Sequence, residues 1–125
     1  MGKINKTLLI GDKENPVRTE LEAALRDQNI LVLTSQTREE ALKVINEKDI
    51  NFLFVAPLSK RQDTLDLLRD LRANSRVNHL PAIILSSYYP SPSVSKMTST
   101  FRNARYLVWP YPKSELFKTI EELLP

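Results

Sequence analysis

The chain has 125 residues, 42% hydrophobic and 26% charged, enough for one domain with its own apolar core, too short for two ordinary ones, and without a compositional case for disorder. Cysteine is absent, which excludes a disulfide framework and a thiolate zinc site and leads us to expect a reducing, cytoplasmic setting. The formal charge is +3 and the pI is near 9.3, but the basic residues read as interspersed with acidic ones along helical stretches, without a basic cluster interleaved with aromatics, so a solvated face is expected and direct nucleic-acid binding is not.

No apolar run approaches the roughly 18 residues needed to cross a bilayer. The start Met1-Gly2-Lys3-Ile4-Asn5-Lys6 lacks a signal peptide's apolar region, and Lys6 stands where a myristoylation signal wants Ser or Thr. Membrane attachment is therefore not expected.

Five apolar runs alternate with helical periodicity, the pattern of a parallel sheet covered by helices on both faces. The first strand is Thr7 to Ile10. Asn15 then caps a helix with Pro16 at its first position, where a missing N–H costs nothing, and Leu21, Ala24 and Leu25 form its buried stripe. Asn29 to Leu33 reads as the second strand, and Thr37-Arg38-Glu39-Glu40 as a capping box opening a helix with Ala41, Leu42, Val44 and Ile45 as its apolar set. Phe52-Leu53-Phe54-Val55 is apolar on both alternations, as a central strand should be, and its helix is expected from about Asp63 with Leu65, Leu68 and Leu71 inward. Pro81 introduces a fourth strand, Ala82 to Leu85, followed by a loop rich in Pro and Ser, Ser86 to Ser93. A weak helix from about Ser93 to Phe101 carries only Val94, Met97 and Phe101 at helical spacing. Tyr106-Leu107-Val108 is the fifth strand, and Pro112 opens a last helix with Leu116, Ile120, Leu123 and Leu124. A single domain over residues 1–125 is expected, either whole or trimmed from a longer protein after Glu122-Leu123-Leu124-Pro125.

Several landmarks in this order resemble the receiver domain of bacterial response regulators, the CheY-like family of two-component signal transduction and phosphorelays. Thr7-Leu8-Leu9-Ile10-Gly11-Asp12 is similar to that family's first strand with its acidic pair, and Leu65-Asp66-Leu67-Leu68-Arg69-Asp70-Leu71-Arg72 to its third helix. Pro81 to Ser87 resembles the fourth strand with its terminal hydroxyl residue, and Tyr106-Leu107-Val108-Trp109-Pro110-Tyr111 the fifth strand with its Lys-Pro-aromatic ending. The resemblance implies an α/β fold, a flavodoxin-like doubly wound (βα)5 with a parallel sheet of order 2-1-3-4-5 and its site at the carboxyl ends of the strands. It also implies an aspartate nucleophile, two further carboxylates holding Mg²⁺, a hydroxyl residue and a lysine.

At the matching positions stand Ala56 for the nucleophile, Gly11 and Asp12 for the carboxylates, Ser86 for the hydroxyl and Trp109 for the lysine. A methyl group cannot attack phosphorus, Asp12 with nearby Glu14 gives too few converging oxygens for octahedral Mg²⁺, and an indole carries no cation to neutralise phosphoryl oxygens. The expectation is a degenerate phospho-acceptor pocket with no metal, no cofactor and no enzymatic activity. Removing carboxylates also relieves repulsion of roughly 4 kcal/mol per pair at about 4 Å and an effective dielectric near 20.

Two placements of Trp109 fit the sequence: folded into the space vacated at Gly11 and Ala56 as an apolar plug, contributing up to about 4–6 kcal/mol, or lying on the surface beside Pro110. Pro110 resembles the family's cis-proline. Ser86 and Tyr106 resemble the pair through which the family couples phosphorylation to an aromatic rotation; they read either as a switch driven by partner binding or as turn and packing residues. His79 reads as a solvent-facing loop residue, Tyr88-Tyr89-Pro90 as an aromatic segment over the fourth helix, and the two glycines, Gly2 and Gly11, cannot build a phosphate cradle.

The functional expectation is a phosphorylation-independent pseudo-receiver that contacts a sensor kinase or output protein through the face of its fourth helix, fifth strand and fifth helix, with Met97, Phe101, Tyr106 and Tyr111 supplying contacts. Two alternatives stand beside it. One is a small-molecule-binding doubly wound domain using the same crevice. The other is a receiver phosphorylated at a displaced acceptor, Ser59, Asp63 or Asp12.

Overall fold

Ten elements alternate from strand to helix in the computed structural model: β1 (Thr7–Ile10), α1 (Pro16–Asp27), β2 (Val32–Ser35), α2 (Arg38–Glu47), β3 (Phe52–Val55), α3 (Arg61–Ala73), β4 (Ala82–Ser86), α4 (Pro92–Ser99), β5 (Ala104–Val108) and α5 (Lys113–Leu123). The structure describes residues 6–86, 92–99 and 101–124; the expectations for the chain start, for Tyr88-Tyr89-Pro90 and for Pro125 lie outside the described residues. All neighbouring strands pair in parallel, in the order β2-β1-β3-β4-β5, which is the flavodoxin-like doubly wound arrangement expected.

The period of two along each strand sorts side chains into two layers. Leu9, Phe52, Phe54, Ile83, Leu85 and Leu107 face the layer built on α1 and α5, where Val17, Leu21, Leu25, Leu116 and Ile120 meet them. Leu8, Ile10, Leu53, Val55, Ala82 and Ile84 face the opposite layer, built on α2, α3 and α4. On the first face the Phe52 and Phe54 rings stack with centroids 4.8 Å apart. β1 and β3 are buried along their whole length, as strands covered on both faces must be.

Helix starts follow local chemistry. Asn15 Oδ1 accepts the Val17 N–H at 2.9 Å ahead of Pro16, and Thr37 Oγ1 accepts the Glu40 N–H at 3.1 Å. Glu40 Oε2 returns to the Gln36 N–H at 2.8 Å, one residue before the cap, so the box closes a residue wider than its usual form. Arg38 pairs with Asp70 and ties α2 to α3.

Several boundaries differ from the sequence expectation: β2 runs on to Ser35, β4 to Ser86, α4 begins at Pro92 and β5 at Ala104, and three further differences have a local cause. The second strand begins at Val32 rather than Asn29 because Asn29 ends α1: it adopts φ 59°, with its N–H on Arg26 O at 2.9 Å and the Ile30 N–H on Leu25 O at 3.2 Å. These are the two bonds of a Schellman cap, and Ile30 supplies its hydrophobic contact by packing in the same core layer as Leu25. Leu31, read as a strand residue, is 51% exposed. α3 starts at Arg61 rather than near Asp63, and its buried row is Leu67, Leu68 and Leu71. Leu65 is only half-buried, because the row continues upward through Thr64, whose Oγ1 accepts the Leu58 N–H at 3.1 Å. α4 ends at Ser99, so Phe101 lies beyond it, with its N–H on Thr98 O.

Only Gly, and to a lesser degree Asn and Asp, occupies the left-handed region cheaply. Asn29→Val is expected to lower stability by about 1–2 kcal/mol in urea unfolding, while Asn29→Gly leaves the midpoint nearly unchanged.

Candidate functional site

The carboxyl ends of β1, β3, β4 and β5 bring Gly11, Ala56, Ser86 and Trp109 to one end of the sheet, and the backbone ladder runs on through them. Gly11 N–H donates to Ser35 O at 3.0 Å, Asp12 N–H to Pro57 O at 3.0 Å, Ala56 N–H to Ile10 O at 2.7 Å and Trp109 N–H to Ser86 O at 2.7 Å. β1 and β3 approach so closely here that a Cβ placed on Gly11 would lie 2.8 Å from the Ala56 Cβ and 3.4 Å from the Arg18 Cβ. Gly11 is thus a residue of close approach, and the space between it and Ala56 is already full.

Arg18, from the first turns of α1, closes the basin. It is 7% exposed, its Nη1 donates to Gly11 O at 3.2 Å, and its Nη2 lies 3.6 Å from Glu22 Oε1. Its Nε has no hydrogen-bond partner among the described residues. Residue spacing carried the signal for this placement: Arg18 falls at i−3 and i−7 from Leu21 and Leu25, on the stripe that the apolar residues define. Read by residue type alone, an arginine on α1 counts as polar surface.

Trp109 takes neither placement expected of it. Its ring is half-buried against the α1 and α5 layer, and its indole N–H donates to Glu20 Oε2 on α1 at 2.8 Å. No vacated space at Gly11 and Ala56 receives it, because the strands themselves and Arg18 close that gap. Glu20 was another residue the sequence did not single out. The Trp109–Pro110 peptide bond is cis.

The Tyr111 ring packs against the same layer. Burial, and secondarily the negative charge of Glu20, push its phenol up to about 12. Across the sheet, Tyr106 is half-buried and packs on the α2, α3 and α4 layer, with its hydroxyl hydrogen-bonded to Ser86. Burial pushes the Tyr106 phenol up and the Ser86 bond draws it partly back. Ser86 and Tyr106 are therefore in contact, with Tyr106 turned toward the strand end.

The residues present do not fit a Mg²⁺ ion. Asp12 is the one carboxylate at the matching positions, its Oδ1 accepts the Glu14 N–H at 3.0 Å in a local turn, and the Arg18 guanidinium occupies the neighbouring carbonyl. Among the described residues no group of three or more His, Cys, Asp or Glu could hold a metal, and a hard dication needs several converging oxygens. Of the other acceptors considered, Ser59 is exposed in the β3–α3 loop and Asp63 is half-buried in the first turn of α3. His79 is exposed.

The four residues expected on the partner face are not equivalent. Phe101 is 8% exposed and belongs to the core; placed just beyond α4, it turns inward into the layer of α2, α3 and α4 rather than outward to a partner. Met97, Tyr106 and Tyr111 are half-buried and retain surface for contact.

No protein-family model matches the chain, and no curated protein does. Solved structures do match. The chain is similar to the Vibrio cholerae chemotaxis protein CheY4, with 20% identity over 97% of this chain and 99% of that one and a TM-score of 0.80. It is similar to the receiver domain of a sensor histidine kinase from Pseudomonas aeruginosa PAO1, whose structure holds a magnesium ion in its active-site cleft, at 22% identity, 95% and 96% coverage and TM-score 0.77. A response regulator described as putative, from Chloroflexus aurantiacus J-10-fl, matches at 25% identity, 95% and 97% coverage and TM-score 0.78. The chain thus has the CheY-like receiver fold. Among the described residues no helix is long and apolar enough to cross a membrane.

Gly11→Ala is expected to destabilise the domain by about 1–3 kcal/mol through overpacking against Ala56, and Ala56→Gly in the same chain should recover much of that loss. Chemical denaturation of the two single variants and the double variant measures the coupling. A second expectation concerns alkaline pH. A phenol whose folded pKa is raised keeps its proton better when folded, so the stability it contributes is intact below about pH 10 and is lost as pH climbs towards about 12. Urea midpoints across that window should fall more steeply for the native chain than for Tyr111→Phe, and absorbance of the phenolate should show one late-ionising tyrosine that Glu20→Gln shifts down.

Proposed function

We propose that this receiver fold is a phosphorylation-independent pseudo-receiver, a cytoplasmic protein-interaction module of two-component-type signalling rather than an enzyme. The observation that carries the reading is the contact of Gly11 with Ala56 under the buried Arg18 guanidinium. Phosphoryl transfer to a receiver needs a carboxylate oxygen free to attack and a cation to gather the phosphoryl oxygens. Here the acceptor position holds a methyl group packed against β1, and the charge at the basin is a fixed guanidinium committed to Gly11 O and Glu22.

What remains intact is the part that reports shape. The Ser86–Tyr106 contact links the end of β4 to the middle of β5, and Met97 and Tyr111 lie on the flanking helix and loop. A sensor kinase or output protein that engaged α4, β5 and α5 and preferred one rotamer of Tyr106 would shift the population towards it without any covalent step. Half-buried aromatics at an edge strand suit that role, since they present contact area with little rotamer entropy to lose.

Treatment with acetyl phosphate and Mg²⁺ is expected to leave the intact mass unchanged, and beryllofluoride to leave the amide resonances of Ser86, Tyr106 and Trp109 in place. A phosphate adduct on Asp12, Ser59 or Asp63, or a beryllofluoride shift propagating to Tyr106, would sink the reading.

A further inference from the structure

Residues 71–114 hold Arg72, Arg76, Lys96, Arg102, Arg105 and Lys113 and no Asp or Glu, whereas the rest of the chain holds twelve basic and fifteen acidic residues. The interspersed charge expected from sequence therefore holds outside this stretch and fails inside it. Folding gathers four of the six at one place. Ala82 N–H donates to Asn103 O at 3.0 Å, so the entrances of β4 and β5 lie side by side. Arg76 precedes β4, Arg102 precedes β5, Arg105 is the second residue of β5, and Arg72 is in the last turn of α3, which runs back to the same end. Leu71, Val77 and Phe101, next to Arg72, Arg76 and Arg102, are buried in the layer of α2, α3 and α4, while Arg105 alternates with Ala104 onto the other face of β5, level with Ile83, so the four approach this end from both faces of the sheet. All four arginines are exposed.

Their lack of counter-charge is what sets them apart. Ion pairs among the described residues join Arg18 and Arg26 to Glu22, Arg38 to Asp70 and Arg69 to Asp66. Thus four of the five arginines before residue 71 are paired and, among the described residues, none of the four after it. Asn103 Nδ2 donates to Leu123 O at 3.0 Å, which brings the last turn of α5 alongside, yet Glu121 and Glu122 form no ion pair with the cluster. Arg105 Nη1 turns to Ala104 O at 3.1 Å, covering a carbonyl of the open sheet edge, which disfavours strand addition there.

We propose that this end of the domain, at the amino ends of β4 and β5 and opposite the Gly11–Ala56 basin, docks an acidic segment of a protein partner. Four guanidiniums present planar donor forks that match carboxylates bidentately, a geometry lysine lacks. Along the chain, Asn74 and Ser75 stand between Arg72 and Arg76, and Asn103 between Arg102 and Arg105, short polar groups suited to a peptide. Among the described residues no Phe, Tyr or Trp ring is exposed, and the exposed His79 imidazole offers one stacking surface rather than the run of platforms that a single strand uses. The surface stands independently of the pseudo-receiver reading, because it involves none of the residues of that basin.

The test is fluorescence anisotropy of a labelled Asp- and Glu-rich peptide against the full chain, with a single-stranded oligonucleotide of equal charge as competitor. The peptide is expected to bind, more weakly as salt rises, to outcompete the oligonucleotide, and to lose affinity about tenfold in Arg102→Glu with Arg105→Glu. Arg61→Glu, an exposed arginine at the other end of the sheet, is expected to leave it within about twofold. Arg102→Gln with Arg105→Gln gives the same direction with a milder perturbation should the reversal disturb folding, which circular dichroism reads. Failure of the peptide to bind, equal binding by the paired variants and the native chain, or preference for the oligonucleotide overturns the proposal.

Discussion

The approach of β1 to β3 at Gly11 and Ala56 is the constraint on which this end of the molecule depends. Parallel pairing holds the two strands in register from Thr7 with Phe52 to Ile10 with Val55, and the bond from Ala56 N–H to Ile10 O carries the ladder one step further. With no side chain on Gly11 and one methyl on Ala56, the two backbones close over the ground that acidic side chains would need to share. A wider residue at either position would have to open the sheet at its most buried pair of strands.

Arg18 is the electrostatic counterpart of that closure. A guanidinium withdrawn from water is costly unless its donors are used, and here one donor has a carbonyl and another an adjacent carboxylate. Its position follows from α1: Asn15 and Pro16 set the first turn, and the helical period then turns residue 18 towards the strand ends together with Val17 and Leu21. The same helix supplies Glu20 to the Trp109 indole. Two residues of one helical turn thus fasten α1 to both β1 and the β5–α5 connection, a rigid arrangement where an active receiver would need room for a phosphoryl group.

The two ends of the sheet consequently differ in character. At the carboxyl ends, the buried Arg18 is paired with Glu22 and the exposed Glu20 accepts from the Trp109 indole. At the amino ends of β4 and β5, four exposed arginines form no ion pair among the described residues, with Glu121 and Glu122 of the last turn of α5 alongside. The distribution is a product of topology, since the doubly wound order places the entrances of β4 and β5 side by side and gathers arginines that lie some 30 residues apart in the chain.

Alternation of five apolar runs with amphipathic stretches was enough to indicate a parallel sheet covered on both faces and the caps at Asn15 and Thr37, because hydrophobic period and capping are local properties, whereas the strand order was expected only from the resemblance at the strand ends. That an alanine, Ala56, directly follows the third strand was legible for the same reason, since the apolar run Phe52 to Val55 fixes where that strand ends. The start of β2 was not, since Asn29 and Ile30 are apolar-run residues by sequence and a Schellman cap by geometry, and only the bonds back to Arg26 and Leu25 decide between them. Likewise the burial of Arg18, the turn of Trp109 towards Glu20 and the inward placement of Phe101 were decided by tertiary structure alone. Each depends on which side chain from a distant element reaches a given space first, and that competition has no signature within a window of neighbouring residues.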